Sequence, residues 1–314
     1  HPGSRHEHGA LGGRVKPGHD EFCLFELPPM TDLFAPLTFR HGPALKNRFV
    51  LAPLTNCQSH DDGRLSDAEF HWLTMRAQGG FGLTMTCAAH VQAQGRGFPG
   101  QLGIFSDQHA EGLMRLASAI KRENSFAVVQ LHHAGMRSPK DLIGTTPVCP
   151  SDNAETGARA LTEAEVQTLI EDFTAAAVRA ERAGFDGVEI HGAHGYILCA
   201  FLSPELNRRT DRYGGSAENR ARLVLDIVDG IRARCRSDFQ VGIRLSPERF
   251  GLRLAEIVAL AARAISRIVC AGVTARIVAA APTQAMSAVG STLAASPTPG
   301  RRRAFARVSV ISAT

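Results

Sequence analysis

The sequence has no Cys-x-x-Cys pair, although it contains seven cysteines among its 314 residues. An odd number of cysteines without that spacing argues against a disulfide framework and against a metal or iron–sulfur cluster held by cysteines. This cysteine usage favours a reducing compartment, and we therefore predict a cytoplasmic protein.

Long apolar runs are also missing. No stretch approaches the roughly 18 consecutive apolar residues that a membrane-spanning helix needs, and no apolar signal-peptide core opens the chain. The formal net charge of +5 comes from 35 basic and 30 acidic residues scattered over most of the chain, which is weak evidence for nucleic-acid binding. We expect a small-molecule substrate, no nucleic acid and no membrane, while homo-oligomer formation stays open.

The two ends of the chain differ from its middle. Residues 1–29 mix His, Gly and Pro without periodicity and predict a disordered leader ahead of Met30. No Asp or Glu follows Glu256, and residues 265–314 show little hydrophobic periodicity. We therefore expect one organised domain over residues 30–264, followed by an atypical tail at 265–314.

Strands and helices alternate through that domain. Apolar runs predict strands at 48–53, 82–87, 126–131, 185–191 and 239–245, and helical spacing predicts helices at 66–76, 106–120, 162–184, 216–234 and 252–265. Ser66 with Glu69 and Thr162 with Glu165 have the spacing of capping boxes.

This alternation favours an α/β fold, a (β/α)8 TIM barrel. Five units precede residue 265 and some 50 residues remain, too few for three more at about 30 residues each, so we expect the barrel to be incomplete at its C-terminal end. The alternative, a doubly wound sheet, would place a glycine-rich turn after the first strand, where the chain has Pro53, Leu54 and Thr55.

Two histidines and a tyrosine follow the fourth strand. His191, His194 and Tyr196 stand beside Gly192 and Gly195, which let the backbone turn and bring the side chains together. Imidazoles can donate hydrogen bonds to a carbonyl or nitro oxygen, and a phenol can supply a proton to carbon. A metal site or plain polar residues ending a strand are the alternatives, although a metal site would need a third ligand.

Other strand ends carry further candidates, since functional groups of such a barrel lie where its strands exit. Arg244 lies in the apolar run VGIRLSP, where a buried cation is costly without an anion or an electron-rich group nearby. The remaining candidates lie at the ends of the first three strands: Pro53, Leu54, Thr55, Ala88, Gln130 and His132.

The segments HGAHGY and FLSPELNRRTDRYGGSAENR resemble the Old Yellow Enzyme family of flavin-dependent ene-reductases. The resemblance runs from about residue 32 to about residue 264. It implies FMN as cofactor and NADH or NADPH as hydride donor. The positions that it matches to the flavin site are Pro53, Leu54, Thr55, Ala88, Gln130 and Arg244.

The resemblance also implies a reaction, reduction of the activated C=C bond of an α,β-unsaturated carbonyl or nitro compound. His191 and His194 would hold the substrate oxygen, Tyr196 would protonate the α-carbon, and His132 would line the substrate pocket.

Two alternatives remain open at this point. The chain could be an inactive, truncated or frame-shifted remnant of such an enzyme. It could also be a truncated flavoprotein of the dienoyl-CoA reductase type, but that type needs a cysteine cluster after the barrel, which this sequence lacks.

Overall fold

This computed structural model describes residues 32–38, 44–270, 274–280 and 305–311. Contacts divide the chain into two units, His1–Asp32 and Leu33–Thr314, and the elements given below lie in the second. The predicted leader, residues 1–29, falls outside the described residues.

The strands and helices of the described residues alternate along most of the chain. The strands are β1 (Val50–Leu51), β2 (Leu83–His90), β3 (Phe126–His132), β4 (Val148–Cys149), β5 (Arg159–Ala160), β6 (Gly187–Gly192), β7 (Gln240–Leu245), β8 (Thr274–Ala280) and β9 (Phe305–Ile311). The α-helices are α1 (Asp67–Gln78), α2 (Ala110–Arg122), α3 (Lys140–Ile143), α4 (Glu163–Arg182), α5 (Ile197–Leu202), α6 (Ala217–Arg234) and α7 (Leu254–Cys270).

Seven of these strands form one parallel sheet in the order β1-β2-β3-β6-β7-β9-β8. Its first five strands are neighbours in chain order with helices between them, the winding of a (β/α) barrel. Among the described residues no pairing joins β8 to β1, so the sheet is open. The α/β architecture predicted from sequence, a barrel that is not closed, is therefore what the described residues form.

The segment after residue 264 contributes more regular structure than its weak periodicity suggested. It holds β8 and β9, and β9 lies between β7 and β8 in the sheet. This order departs from the simple winding of a barrel, in which β8 would pair with β7.

Capping side chains fix the first residues of α4 and α1. Thr162 and Glu165 form the predicted capping box at the start of α4, because each side chain accepts a hydrogen bond from the backbone N–H of the other. Ser66 caps α1 in the predicted way, but the Glu69 side chain does not return to it. That carboxylate is instead buried and bonded to Asn56, Ser59 and Cys87.

Several short elements accompany the predicted strands and helices. An antiparallel bridge joins Leu37 to Leu45 ahead of β1. Residues 132–160, which lie between the strand predicted at 126–131 and the helix predicted at 162–184, include α3 and pair β4 with β5. The short helix α5, directly after the His191 to Tyr196 stretch, was not predicted from the sequence.

The core lies between the sheet and its helices. Strands β2, β3 and β6 are buried at every position, as expected of parallel strands covered on both sides. The two sides differ in chemistry, however. Leu131, Ile190 and Ile243 pack into the apolar core, whereas the residues that alternate with them are largely polar and form the site.

Candidate active site

One face of the sheet carries almost all the polar side chains predicted for the site. Ala88, Gln130 and Glu189 occupy one row of paired residues across β2, β3 and β6. Two residues further along the strands, His191 pairs with Arg244 on β7. Residues two apart in a strand point to the same face, so these side chains share a surface at the carboxyl ends of the strands.

The trio predicted from the sequence is assembled there with His132. The ring centroids of His191 and His194 are 5.0 Å apart, and those of His191 and Tyr196 are 5.1 Å apart. The His132 ring lies 4.3 Å from Tyr196 and 5.5 Å from His191. Four aromatic or imidazole side chains are therefore grouped in one polar cluster.

A tight turn after β6 makes this assembly possible. His194 and Gly195 both adopt left-handed backbone conformations, with φ angles of 62° and 73°. A side chain at Gly195 would also meet the ring of Phe250 at 3.0 Å. The turn is fixed by a hydrogen bond from the His194 backbone N–H to Ser246 Oγ, 3.1 Å long. Strain at a non-glycine residue is typical of functional turns.

Hydrogen bonds assign the proton positions of the histidine pair. The Ala193 backbone N–H donates to His191 Nδ1 at 3.3 Å, so the proton of a neutral His191 ring is on Nε2. His191 Nε2 is 3.3 Å from His194 Nδ1 and donates to it. His194 therefore carries its own proton on Nε2, where it is available to an acceptor from outside the pair.

Burial keeps these imidazoles neutral. Desolvation is the main cause that lowers the pKa of His191 and of His132 well below 6.5, and neighbouring histidines and arginines add to it. Desolvation, followed by Arg244, Arg137 and Arg249, also lowers the pKa of His194. Neutral rings hold a substrate oxygen by hydrogen bonds and do not place a full charge beside it.

Arg137 is a residue of the site that the sequence did not reveal. Its guanidinium lies 5.1 Å from the centre of the Tyr196 ring, a distance at which a cation and an aromatic face attract. Its Nη1 also donates to the His194 backbone oxygen over 2.6 Å. Arg137 thereby ties the loop after β3 to the strained turn after β6.

Glu189 is the second residue that sequence reasoning missed. Its buried carboxylate accepts a 2.8 Å hydrogen bond from Gln130 Nε2 and lies 4.0 Å from Arg244 Nη1. The signal was present, because a charged residue in a buried strand is costly unless it is paired. The same signal singled out Arg244, and Glu189 is the partner that it required.

The side chains of this face fit a flavin ring. Gln130 keeps its amide oxygen as an acceptor after donating to Glu189, and the buried Nε of Arg244 has no hydrogen-bond partner among the described residues. Such an unpaired donor beside a buried amide matches the alternating donors and acceptors of the flavin pyrimidine edge. Ala88 is buried in the same row.

The remaining predicted cofactor residues lie on the loop after β1. Pro53 is half-buried, whereas Leu54 and Thr55 are exposed. The structure does not bring these three into contact with the histidines, and their contact with a flavin stays a prediction.

The long motif after α5 is structural in the main. Asn207 Nδ2 donates to the backbone oxygens of Phe201 and Tyr213 at 2.7 and 2.8 Å. Arg209 binds Asp211 and the Pro150 backbone oxygen. The motif therefore fixes the loop between α5 and α6 and so supports α5 behind the site.

A metal site, the alternative considered for the histidine pair, would need a set of ligands. In the part of the chain that the structure describes, no three His, Cys, Asp or Glu side chains are grouped so that they could hold a metal ion. The contacts of His191 are instead other rings and backbone.

Comparison with known proteins agrees with the geometry of the site. The model of the NADH:flavin oxidoreductase / NADH oxidase family matches residues 32–290. The chain belongs to this family. The match extends past residue 264, where the resemblance was expected to end.

Individual relatives agree with the family assignment. The chain is 44% identical over 229 residues to "Probable NADH-dependent flavin oxidoreductase YqiG" of Bacillus subtilis, a match that covers 70% of this chain and 61% of that protein. It is 40% identical over 208 residues to an NADPH dehydrogenase of Bacillus cytotoxicus, covering 64% and 59%. The Old Yellow Enzyme homologue of Zymomonas mobilis superposes with a TM-score of 0.68 at 30% identity, covering 75% and 70%.

These findings confirm several predictions made from the sequence. The Old Yellow Enzyme resemblance, the barrel fold, and the family's flavin and nicotinamide cofactors are confirmed. The chain spans about 60% of the length of the two curated relatives. In the described residues, no helix is both long and apolar enough to cross a membrane.

Proposed function

We propose that this chain is an FMN-dependent oxidoreductase that uses NADH or NADPH to reduce the activated C=C bond of an α,β-unsaturated carbonyl or nitro compound. The observation that carries the proposal is the grouping of His191, His194 and Tyr196 beside Gln130 and Arg244 on one sheet face. Oxygen-binding donors and a phenol thus stand next to groups suited to a flavin.

Each side chain has a role in that reaction. His194 Nε2–H donates to the substrate oxygen, and His191 orients His194 through the bond between their rings. Withdrawing electrons through that oxygen makes the β-carbon electrophilic, and FMN, when bound, would supply the hydride that this carbon accepts. The Tyr196 hydroxyl gives the α-carbon a proton, and the Arg137 guanidinium over its ring stabilises the developing phenolate.

The cofactor residues of the proposal are Pro53, Leu54, Thr55, Ala88, Gln130 and Arg244, and His132 lines the substrate pocket. We place the FMN-binding part in residues 30–264 and the protein in the cytoplasm. Gln130, which is buried, and Arg244, which is partly buried, would hold the flavin ring because Glu189 already anchors both side chains.

The test is anaerobic turnover of purified, FMN-reconstituted protein with NADH or NADPH and 2-cyclohexen-1-one. We expect oxidation of the nicotinamide that depends on the enone, with cyclohexanone as product. A yellow protein that consumes nicotinamide only in air, without forming cyclohexanone, would contradict the substrate class.

The inactive remnant is distinguished by a different measurement. It would not retain flavin absorbance after gel filtration of an FMN-saturated sample, whereas the proposed enzyme would. A matched Arg244→Met variant, which loses the partly buried cation but keeps an unbranched chain, should retain less flavin than the parent.

A further inference from the structure

The His132 ring is held by a neighbour that no sequence motif indicated. Gln101 is fully buried, and its amide nitrogen lies 2.9 Å from His132 Nδ1. The orientation of that amide is determined by its other contacts. The Gly97 backbone N–H donates to Gln101 Oε1 over 2.7 Å, and the amide nitrogen donates to the Ala88 backbone oxygen over 2.8 Å.

This arrangement fixes the proton of the imidazole. Because Gly97 requires an oxygen at one end of the Gln101 amide, the other end is the NH₂ group, which donates to His132 Nδ1. Nδ1 is therefore an acceptor, and a neutral His132 ring carries its hydrogen on Nε2. The full burial of the ring, at 1% exposure, favours the neutral form.

The Nε2–H group has no partner among the described residues. The adjacent His133 shows what a fully bonded buried histidine looks like here, because its Nδ1 accepts from the Gly135 N–H and its Nε2 meets Gln92 Oε1, each at 3.0 Å. A buried donor without an acceptor destabilises the fold. Such an unpaired donor beside the site therefore points to a ligand atom that it binds.

The position of the ring limits which ligand atom this can be. His132 packs on Tyr196 with centroids 4.3 Å apart and lies 5.5 Å from His191. It therefore lies beside the ring pair in which His194, oriented by His191, holds the substrate oxygen. A molecule that reaches both places needs two acceptor oxygens a few ångströms apart.

We propose that His132 Nε2–H is a second hydrogen-bond donor for the substrate, and that the site prefers alkenes with an acceptor oxygen at each end, such as unsaturated 1,4-dicarbonyl compounds. This inference rests on the proposed function and names its substrate class. Gln101 is a positioning residue in it, because it acts through the imidazole.

The test measures binding of two probes to the FMN-reconstituted full chain without nicotinamide. Both 4-methylphenol and 4-hydroxybenzaldehyde offer a phenol oxygen to His194, which His191 orients, but the aldehyde adds a second acceptor. Since the two phenols differ in acidity, the quantity compared is the ratio of their dissociation constants, measured by calorimetry in parent and variants.

We expect His132→Phe to reduce the preference for the aldehyde about tenfold, the effect of one hydrogen bond, and Gln101→Met to reduce it by a smaller factor, about threefold. His133→Gln, a change at the neighbouring buried histidine, should leave the ratio unchanged. An unchanged ratio in His132→Phe would overturn the inference, as would failure of both phenols to bind the parent protein.

Nitrogen-15 NMR of the unmutated protein provides a second test of the role of His132 if the variants do not fold. We expect His132 to be protonated at Nε2, with that resonance shifted by the aldehyde and not by 4-methylphenol. Protonation at Nδ1 would overturn the inference. If the parent protein prefers 4-hydroxybenzaldehyde in the way described but does not reduce enones, the proposed function is wrong, whereas the assignment of His132 as a second donor is supported.

Discussion

Glu189 accepts a buried 2.8 Å hydrogen bond from Gln130, and the same carboxylate oxygen lies 4.0 Å from Arg244. One carboxylate thus holds both side chains that are best suited to the flavin ring. Its negative charge also offsets part of the positive charge of Arg244, so Glu189 should influence the electronic properties of a bound flavin as well as the geometry of its site.

We expect Glu189→Gln to raise the reduction potential of bound FMN by tens of millivolts, on the order of one kcal/mol. Removing the carboxylate charge leaves the cation of Arg244 less compensated, which favours the more negative, reduced ring. The measurement is a spectroscopic titration against a reference dye.

Asp186→Asn is the matched control for Glu189→Gln. Asp186 is also a buried carboxylate, but it precedes β6, pairs with Lys121 at 2.8 Å and accepts from the Ala127 N–H at 3.0 Å. It should lower stability without moving the potential. Equal shifts in the two variants would mean that the Glu189 effect is not specific to the site.

Tyr196→Phe should slow the reduction of 2-cyclohexen-1-one about a hundredfold or more while leaving reduction of the flavin by NAD(P)H nearly intact. A proton on carbon is needed only when the alkene is reduced. Stopped-flow absorbance separates the two half-reactions. Equal losses in both would refute the assigned role of Tyr196.

Either His191→Ala or His194→Ala should weaken the binding of 4-methylphenol about tenfold, the effect of a lost hydrogen bond. His194 loses the donor itself, and His191 loses the ring that orients the donor through the 3.3 Å contact. The exposed His71 on α1 provides a control, His71→Ala, with parental affinity. Unchanged affinity in both site variants would remove the pair from the oxygen site.

Acidification should destabilise the fold through its buried histidines. Desolvation lowers the pKa of His90 to about 4 and that of His133 to about 3, from an ordinary value near 6.5. The unfolded chain therefore binds more protons than the folded one between these values, so the free energy of unfolding rises with pH there. This stability is fully present above pH 6.5 and is lost as the pH falls toward 4 and 3.

Urea unfolding at pH 7.5, 5.5 and 4.5 measures this dependence. His90→Gln should reduce the slope of the free energy of unfolding against pH by about 1.4 kcal/mol per pH unit within that window, because one fewer proton is taken up on unfolding. A free energy of unfolding that is the same at pH 7.5 and 4.5 would show that these rings are not neutral in the folded state.

The sequence revealed those parts of the site whose residues are close together in the chain. His191, His194 and Tyr196 span six positions, so the turn that joins them could be predicted from glycine content and spacing. Strands β1, β2, β3, β6 and β7 were found for a similar reason, because each is a short apolar run next to a helix.

Pairings between distant residues were not accessible in that way. Glu189 depends on Gln130, 59 residues earlier, and Gln101 acts on His132 across 31 residues. Glu69 was misread because its spacing from Ser66 fits a capping box, yet burial against Cys87 and Ser59 directs the carboxylate inward. The place of β9 between β7 and β8 is likewise a long-range feature that no local pattern predicts.

The most direct test of the central claim is a single turnover in the absence of oxygen. FMN-loaded protein is first reduced with one equivalent of NADPH or NADH and then mixed with 2-cyclohexen-1-one while the flavin absorbance is followed. We expect the yellow oxidised spectrum to return with one equivalent of cyclohexanone formed. A flavin that stays reduced until air is admitted would contradict the assignment of this chain as an ene-reductase.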